Sequence, residues 1–109
     1  EIQPSYEQIT IPTEEKRKTL RLVASPTGEQ GSVTIYADAK MYAGLFDQGD
    51  SYQQVLNPQR KGYLHLVRGN ITVNGQAIKG GDAVLMDGES DLQLSDAKDA
   101  EVIFFDLAP

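Results

Sequence analysis

The sequence predicts an all-β domain, a barrel or a sandwich, and three observations carry that prediction. From Thr19 onward short apolar runs recur, each bounded by Gly, Asp, Asn or Pro. Turn-forming residues return roughly every 8–12 positions, the spacing of sandwiches and barrels. No segment carries the apolar periodicity of a helix three turns long.

In chain order, residues 1–18, EIQPSYEQITIPTEEKRK, hold two prolines and little periodicity, and read as an extended N-terminal arm or interdomain linker. Ile9 and Ile11 alternate with polar neighbours, which suits a short edge strand ended by Pro12. TEEKRK suits a helical turn with Thr13 as its N-cap. A single β domain is expected over residues 19–109. It opens on TLRLVAS, where Leu20 and Leu22 alternate with Arg21. In SVTIYAD, Val33 and Ile35 alternate with Thr34 and Tyr36. KMYAGLFD, SYQQVL, GYLHLVRG, ITVNG, DAVLM, DLQLS and EVIFFDL follow, for about nine short strands.

Asn74-Gly75, between ITV and QAI, has the residues of a type I′ hairpin turn, which needs positive φ at both central positions. Gly80-Gly81-Asp82 makes a second turn before AVLM. The last strand, Glu101 to Leu107, is apolar on both faces: Val102 and Phe104 on one, Ile103, Phe105 and Leu107 on the other. Such a strand is expected to be covered on both sides, by the core and by the arm, a second domain or another copy.

Composition bounds the function. At 109 residues the chain suffices for one domain with a real core and is too short for two. Ten basic against sixteen acidic residues give a net charge of −6, which argues against nucleic acid as a partner. The one basic cluster, Lys16-Arg17-Lys18, directly follows Glu14-Glu15 and reads as a self-compensated surface. No apolar run has membrane-spanning length, and no signal-peptide pattern is present. The absence of cysteine removes disulfide and thiolate chemistry and fits a cytoplasmic protein.

The frame Gly49…Gly69, the hairpin NITVNG and the turn GGDAVLMDG resemble the cupin fold, a double-stranded β-helix jelly roll. More narrowly, IQPSYEQ, RLVASPTGEQGSVTIYADAKMYAG, VRGNITVNGQAIKGGDA and EVIFFDLA resemble, in that order, the C-terminal cupin of pirin-like bicupins. The resemblance starts where such proteins cross from their first cupin to the second. With Glu1 in place of an initiating Met, it implies an N-terminal cupin ahead of this chain. It further implies a parent with metal-dependent dioxygenase activity on flavonols such as quercetin, or a regulatory binding role. A divalent metal such as iron is expected only on the N-terminal cupin.

Metal-binding cupins place His-x-His and Glu between two glycines, and a further His after a third. Here the glycine frame is kept, as Gly49, Gly69 and Gly81, but the ligand slots fall on Val55, Asn57, Gly62 and Leu92. The remaining slots of the second motif fall on Asp87, Glu89 and Asp96. Val and Leu have no lone pair and Gly has no side chain, so the set lacks the imidazoles and carboxylate that converge on a cupin metal. A shift by one residue reaches Leu56, Pro58, Lys61 and Tyr63, none of them a histidine or a carboxylate. Accordingly, no metal-ligating, catalytic or cofactor-binding residue is assigned.

The lone histidine, His65, should share a strand face with Tyr63 and Val67 and point away from the interior. Some cupin-like epimerases use a His–Asp pair and a Tyr without metal, which would require His65 to reach a pocket beside a carboxylate. Asp82, Asp87, Glu89, Asp91, Asp96 and Asp99 lack the alternate spacing of a calcium loop and read as turn and surface residues. Tyr36, Tyr42, Tyr52 and Tyr63, with Phe46, are expected in core or interface more than around a ligand. GNITVNGQAIKGGD is hairpin punctuation, since no strand-to-helix step follows it.

The leading expectation is a metal-free, non-catalytic cupin that packs on and completes an N-terminal cupin. The alternative is a metal-independent small-molecule binder or isomerase-like cupin working through its own barrel cavity. A homo-oligomer through strand 101–107 or the arm is a third arrangement.

Overall fold

A computed structural model of the chain describes residues 13–109, so the edge strand expected at Ile9 and Ile11 lies outside the described residues. Thr13–Lys16 form a single helical turn, α1, as TEEKRK suggests, and Arg17 then bridges to Leu45. Eight strands follow: β1 (Leu20–Ser25), β2 (Val33–Thr34), β3 (Ala39–Phe46), β4 (Tyr52–Val55), β5 (Lys61–Val73), β6 (Gln76–Lys79), β7 (Ala83–Asp87) and β8 (Asp91–Leu107).

The expectation of uniformly short strands is corrected at two places. GYLHLVRG and ITV form one strand of 13 residues, β5, and DLQLS and EVIFFDL form one of 17, β8. The residues that read as breaks are bends. Gly69 has φ 82, Asp96 φ 50 and Asp99 φ 47, so each turns the chain while pairing continues on either side. A short Asp side chain visits this left-handed region more readily than most residues. β5 and β8 run antiparallel, from Lys61 against Leu107 to Val73 against Leu94, with register shifts between Leu66 and Thr72.

Two sheets share these long strands. β8 pairs with β3 along Ala100–Leu107 and with β4 along Asp91–Leu94. β5 pairs with β7 along Lys61–His65 and with β6 along Asn70–Val73. One sheet therefore runs β2-β1-β3-β8-β5-β7 and the other β4-β8-β5-β6. Their inner faces meet in one core. Leu64, Leu66, Val102 and Phe104 come from the first, and Ile71, Val73, Leu92 and Leu94 from the second, all buried at the period of two that strands impose.

The turns follow their residue chemistry. Val73 pairs with Gln76 across Asn74 (φ 47) and Gly75 (φ 85), the expected type I′ hairpin. The Asn74 side chain also clasps the start of β8. Its amide donates to the Asp91 carbonyl at 3.0 Å and its oxygen accepts from Gln93 N at 2.6 Å. In the Gly-Gly-Asp turn, Asp82 N donates to the Lys79 carbonyl at 2.9 Å and its carboxylate accepts from Lys79 N at 3.0 Å.

SVTIYAD is shorter as a strand than its alternation suggests. Only Val33–Thr34 pair, parallel to β1, and Ile35 N donates to the Ser25 carbonyl at 2.9 Å. The chain then bends through Tyr36–Asp38, because Arg60 holds Asp38 by its side chain (3.1 Å) and its carbonyl (3.2 Å). On β8, Val102 and Phe104 are fully buried while Ile103, Phe105 and Leu107 are only half-buried.

The bends are held at one point. A Cβ at position 69 would collide with the Asp99 carbonyl, so the β5 bend lies directly on the β8 bend. Asp99 N in turn donates to the Asp47 carboxylate at 3.1 Å, as does Gln48 N at 2.9 Å. Gly69→Ala is therefore expected to cost about 2–5 kcal/mol, from left-handed strain plus overpacking. A lowered urea midpoint checks it, and an unchanged one would mean that the two bends do not depend on their contact.

The backbone N–H groups of Asp99 and Gln48 hold the Asp47 carboxyl below its ordinary value. A carboxylate depressed on folding adds stability above its unfolded value, and that gain is lost as pH falls through the folded one. Asp47→Asn is expected to unfold at lower urea than the parent at pH 7 and to converge with it once the pH lies below the carboxylate range. Equal midpoints at pH 7 would contradict this.

Candidate functional site

The place where a jelly roll of this kind would hold a ligand is the mouth of the barrel, between the end of β4 and the start of β5. A small cavity of about 40 Å³ lies there, lined by Gln54, Asn57, Gly62, Met86, Glu89 and Phe104 among others. That is room for one or a few waters. Arg60 closes one side. Its Nε donates to Asp106 Oδ1 at 2.7 Å, and its Nη1 lies 3.1 Å from Asp38 Oδ1. This triad ties the β4–β5 loop to β8 and to the bend after β2. The Arg60 side chain is thereby committed to structure.

The slots fall differently from their motif spacing. Tyr52 and Gln54 pair with the buried Leu94 and Leu92, so the even positions of β4 face the core. Val55 faces outward and is 84% exposed. The inward neighbours are Gln54 and Leu56, one residue earlier than the motif spacing places them. Gln54 Oε1 already accepts from the Tyr52 hydroxyl at 2.8 Å. Gly62 does face inward, and a Cβ there would sit 3.0 Å from the Phe104 ring and 3.3 Å from Met86 Cβ. Leu92 is fully buried. The positions that a cupin uses for ligands are thus Gln54, Leu56, Gly62 and Leu92, with Phe104 in the space that a ligand at 62 would cross. This donor set does not fit a metal: of the four positions only Gln54 carries an oxygen donor, and none is a histidine or a carboxylate. Among the described residues, no group of three or more His, Asp or Glu side chains is placed to hold an ion.

His65 lies where alternation puts it. Its neighbours Leu64 and Leu66 are fully buried, while His65 is half-buried on the outer face with Tyr63 and Val67. It pairs with Ile103 on β8 and Ala83 on β7, not with a carboxylate. Among the described residues, the general-base arrangement of the alternative reading is therefore not assembled. The tyrosines divide as well. Tyr42 packs on Phe104 (6.1 Å between centroids) and Tyr52 on Phe46 (5.8 Å), both toward the core. Burial pushes the Tyr42 phenol up, which keeps it neutral. Tyr63 packs on Phe105 outside (6.2 Å), and Tyr36 is 92% exposed. The acidic stretch serves turns and surface pairs. Asp82 caps its own turn, Asp91 accepts from Gln53 and Gln93, and Asp99 lies 3.4 Å from Arg68.

The outward rows of the six-stranded sheet were not apparent from sequence, because they appear only once register is known. Met41, Phe105, Tyr63 and Leu85 form one row across β3, β8, β5 and β7, and Ala43, Ile103, His65 and Ala83 form the next. The available signal was the second apolar face of β8, which the sequence does show.

A jelly roll of two sheets sharing two long strands, with a mouth at the β4–β5 junction and an interior filled by its own side chains, defines a single cupin-class barrel. The chain belongs to the quercetinase C-terminal cupin domain family, whose pattern matches residues 22–107. It is similar to quercetin 2,3-dioxygenase of Escherichia coli strain K12, with 27% identity over 108 residues, 99% of this chain and 46% of that protein. Among solved structures it resembles YhhW from Escherichia coli, with a TM-score of 0.88 and 27% identity, covering 99% of this chain and 45% of that one. It also resembles the bacterial pirin YhhW in complex with nickel(II), with a TM-score of 0.79 and 26% identity, covering 84% of this chain and 40% of that one. The chain spans about half the length of the relatives it matches. Among the described residues, no helix is long and apolar enough to cross a membrane.

Because Gly62 accommodates the Phe104 ring, Gly62→Ala is expected to cost about 1–3 kcal/mol, and Phe104→Leu in the same chain, by removing the ring that the new Cβ meets, should relieve part of that cost. A double-mutant cycle on urea midpoints checks this. Strict additivity would separate the two positions energetically.

Proposed function

We propose that this chain is the metal-free, non-catalytic barrel of a two-barrel, quercetinase-like protein. Residues 1–18 serve as the connecting arm and 19–109 as the barrel. Its work is to pack on the first barrel and complete it. That first barrel holds the divalent metal, iron for instance, and carries out the oxidation of a flavonol such as quercetin in the cytoplasm. The single observation that carries this reading is the interior. Gln54, Leu56, the side-chain-free Gly62 and Leu92 stand at the positions where a cupin assembles its ligands, and Phe104 and Met86 fill the space in front of Gly62. The cavity at the β4–β5 mouth, about 40 Å³, admits water but no flavonoid ring system. The similarity to a quercetin 2,3-dioxygenase supports the activity of the parent.

The test is elemental analysis of the purified chain after incubation with iron, nickel, copper, zinc and manganese salts and desalting. The expected result is metal far below one equivalent for every ion. One tightly bound equivalent would overturn the reading and reassign a metal role to this barrel.

A further inference from the structure

We infer that the outer face of the six-stranded sheet is the surface on which the preceding cupin barrel docks, an assignment that rests on the two-barrel reading above. The rows Met41–Phe105–Tyr63–Leu85 and Ala43–Ile103–His65–Ala83 lie side by side across four strands. Leu107 and Ala39 extend them at one end, and Val67 lies beyond His65 along β5. Within this field Leu85 is 64% exposed, Val67 41% and Tyr63 38%, although a strand face turned to water ordinarily carries polar side chains. Charge stands around the edges, where Arg21 on β1, beside Ala43, is paired with Glu15 at 3.0 Å. Lys61 and Asp87 stand opposite one another in the last row at one end, and Arg68 pairs with Glu101 at 2.6 Å beyond the other. An apolar centre with a charged rim is the anatomy of a protein interface.

Three observations select the occupant. The relatives carry, outside the span matching this chain, more than half of their length. Thr13 lines a surface groove with Leu45, Arg68 and Asp99, and Leu45 pairs with Glu101 in the row next to Ala43–Ile103. Thr13, the first described residue, therefore stands at the rim of this face. The third is size. Four strands about 4.8 Å apart and a few rows along them give a patch on the order of 300 Å². Stand-alone complexes bury roughly 800 Å² on each partner, so the face is small for a free second copy. A barrel tethered in the same chain needs less, because the tether holds it at high effective concentration.

Hydroxyl-radical footprinting tests the assignment, comparing the 109-residue chain with the polypeptide that also contains the barrel encoded ahead of it. Met41, Tyr63 and Phe105 are expected to be labelled about tenfold more slowly in the longer polypeptide, as water leaves the interface centre. Val55, 84% exposed on β4 of the other sheet, keeps its rate. Leu85→Lys with Val67→Asp, at positions 64% and 41% exposed that are not strand partners, should leave the melting of the short chain near the parent's and restore labelling of Met41 and Phe105 in the longer one. Four results would overturn the inference: no cupin barrel encoded ahead of the chain, equal labelling in both polypeptides, Met41 and Phe105 already protected in the short chain, or protection that accompanies dimerisation of the short chain. Metal analysis remains a separate readout. A metal-free chain with unprotected rows fails the docking alone, and a metal-loaded chain with protected rows fails only the non-catalytic reading.

Discussion

Strands β5 and β8 lie antiparallel along most of their length, and every other strand attaches to one of them directly or through a neighbour. β3 and β4 attach to β8, β6 and β7 to β5, and β1 and β2 follow through β3. The pair belongs to both sheets because both strands bend, and the bends touch at Gly69 and Asp99. Without those bends the pair would be a flat ribbon with one inner face. With them, Leu64 and Val102 face Ile71 and Leu94 across a common core. The Asp47 loop, bonded to the Asp99 amide, locks β3 to the same crossing.

The filled interior is the counterpart of this frame. Cupin chemistry needs several donors converging inside the barrel. Here Gly62 and Leu92 stand at two of those positions, and the groups around them pack: Phe104 over Gly62, Leu92 and Leu94 beneath β4, and Tyr52 against Phe46. Burying a large aromatic and several leucines contributes a few kcal/mol each, and a lone polar ligand among them would cost desolvation with no ion to compensate it. Apolar side chains at these positions therefore add to the core. The polar side chains at the mouth, Arg60 with Asp38 and Asp106, join loops to strands.

Much of this was legible in the residues. Period-two alternation gave the inward faces of β5 and the end of β8, including the outward turn of His65, and Asn74-Gly75 named its own hairpin. Three features were not. Gly69, Asp96 and Asp99 have the composition of turns, and only pairing on both sides distinguishes a bend from a chain reversal. The motif spacing from Gly49 runs across a loop, where alternation does not hold, so Val55 took the place of Gln54 as the inward residue. The rows on the outer face depend on which strands are neighbours. Met41, Tyr63, Leu85 and Phe105 are far apart in sequence, and nothing local marks them as a set.

The long partnership of β5 and β8 also shapes how the chain reaches its fold. Lys61 and Leu107 are paired across 46 positions, the same separation as the Arg60–Asp106 contact beside them. Closing so large a loop costs entropy before any contact offsets it, and topologies rich in such pairings fold in roughly milliseconds to seconds. The β5–β6 hairpin is the local exception, with a two-residue turn able to form in microseconds. Asn74 in that turn carries the amide and the oxygen that receive Asp91 and Gln93. The earliest structured piece thus presents a ready template for the first residues of β8, and registration can spread from Leu94 toward Leu107 as the rest of the sheet assembles along it.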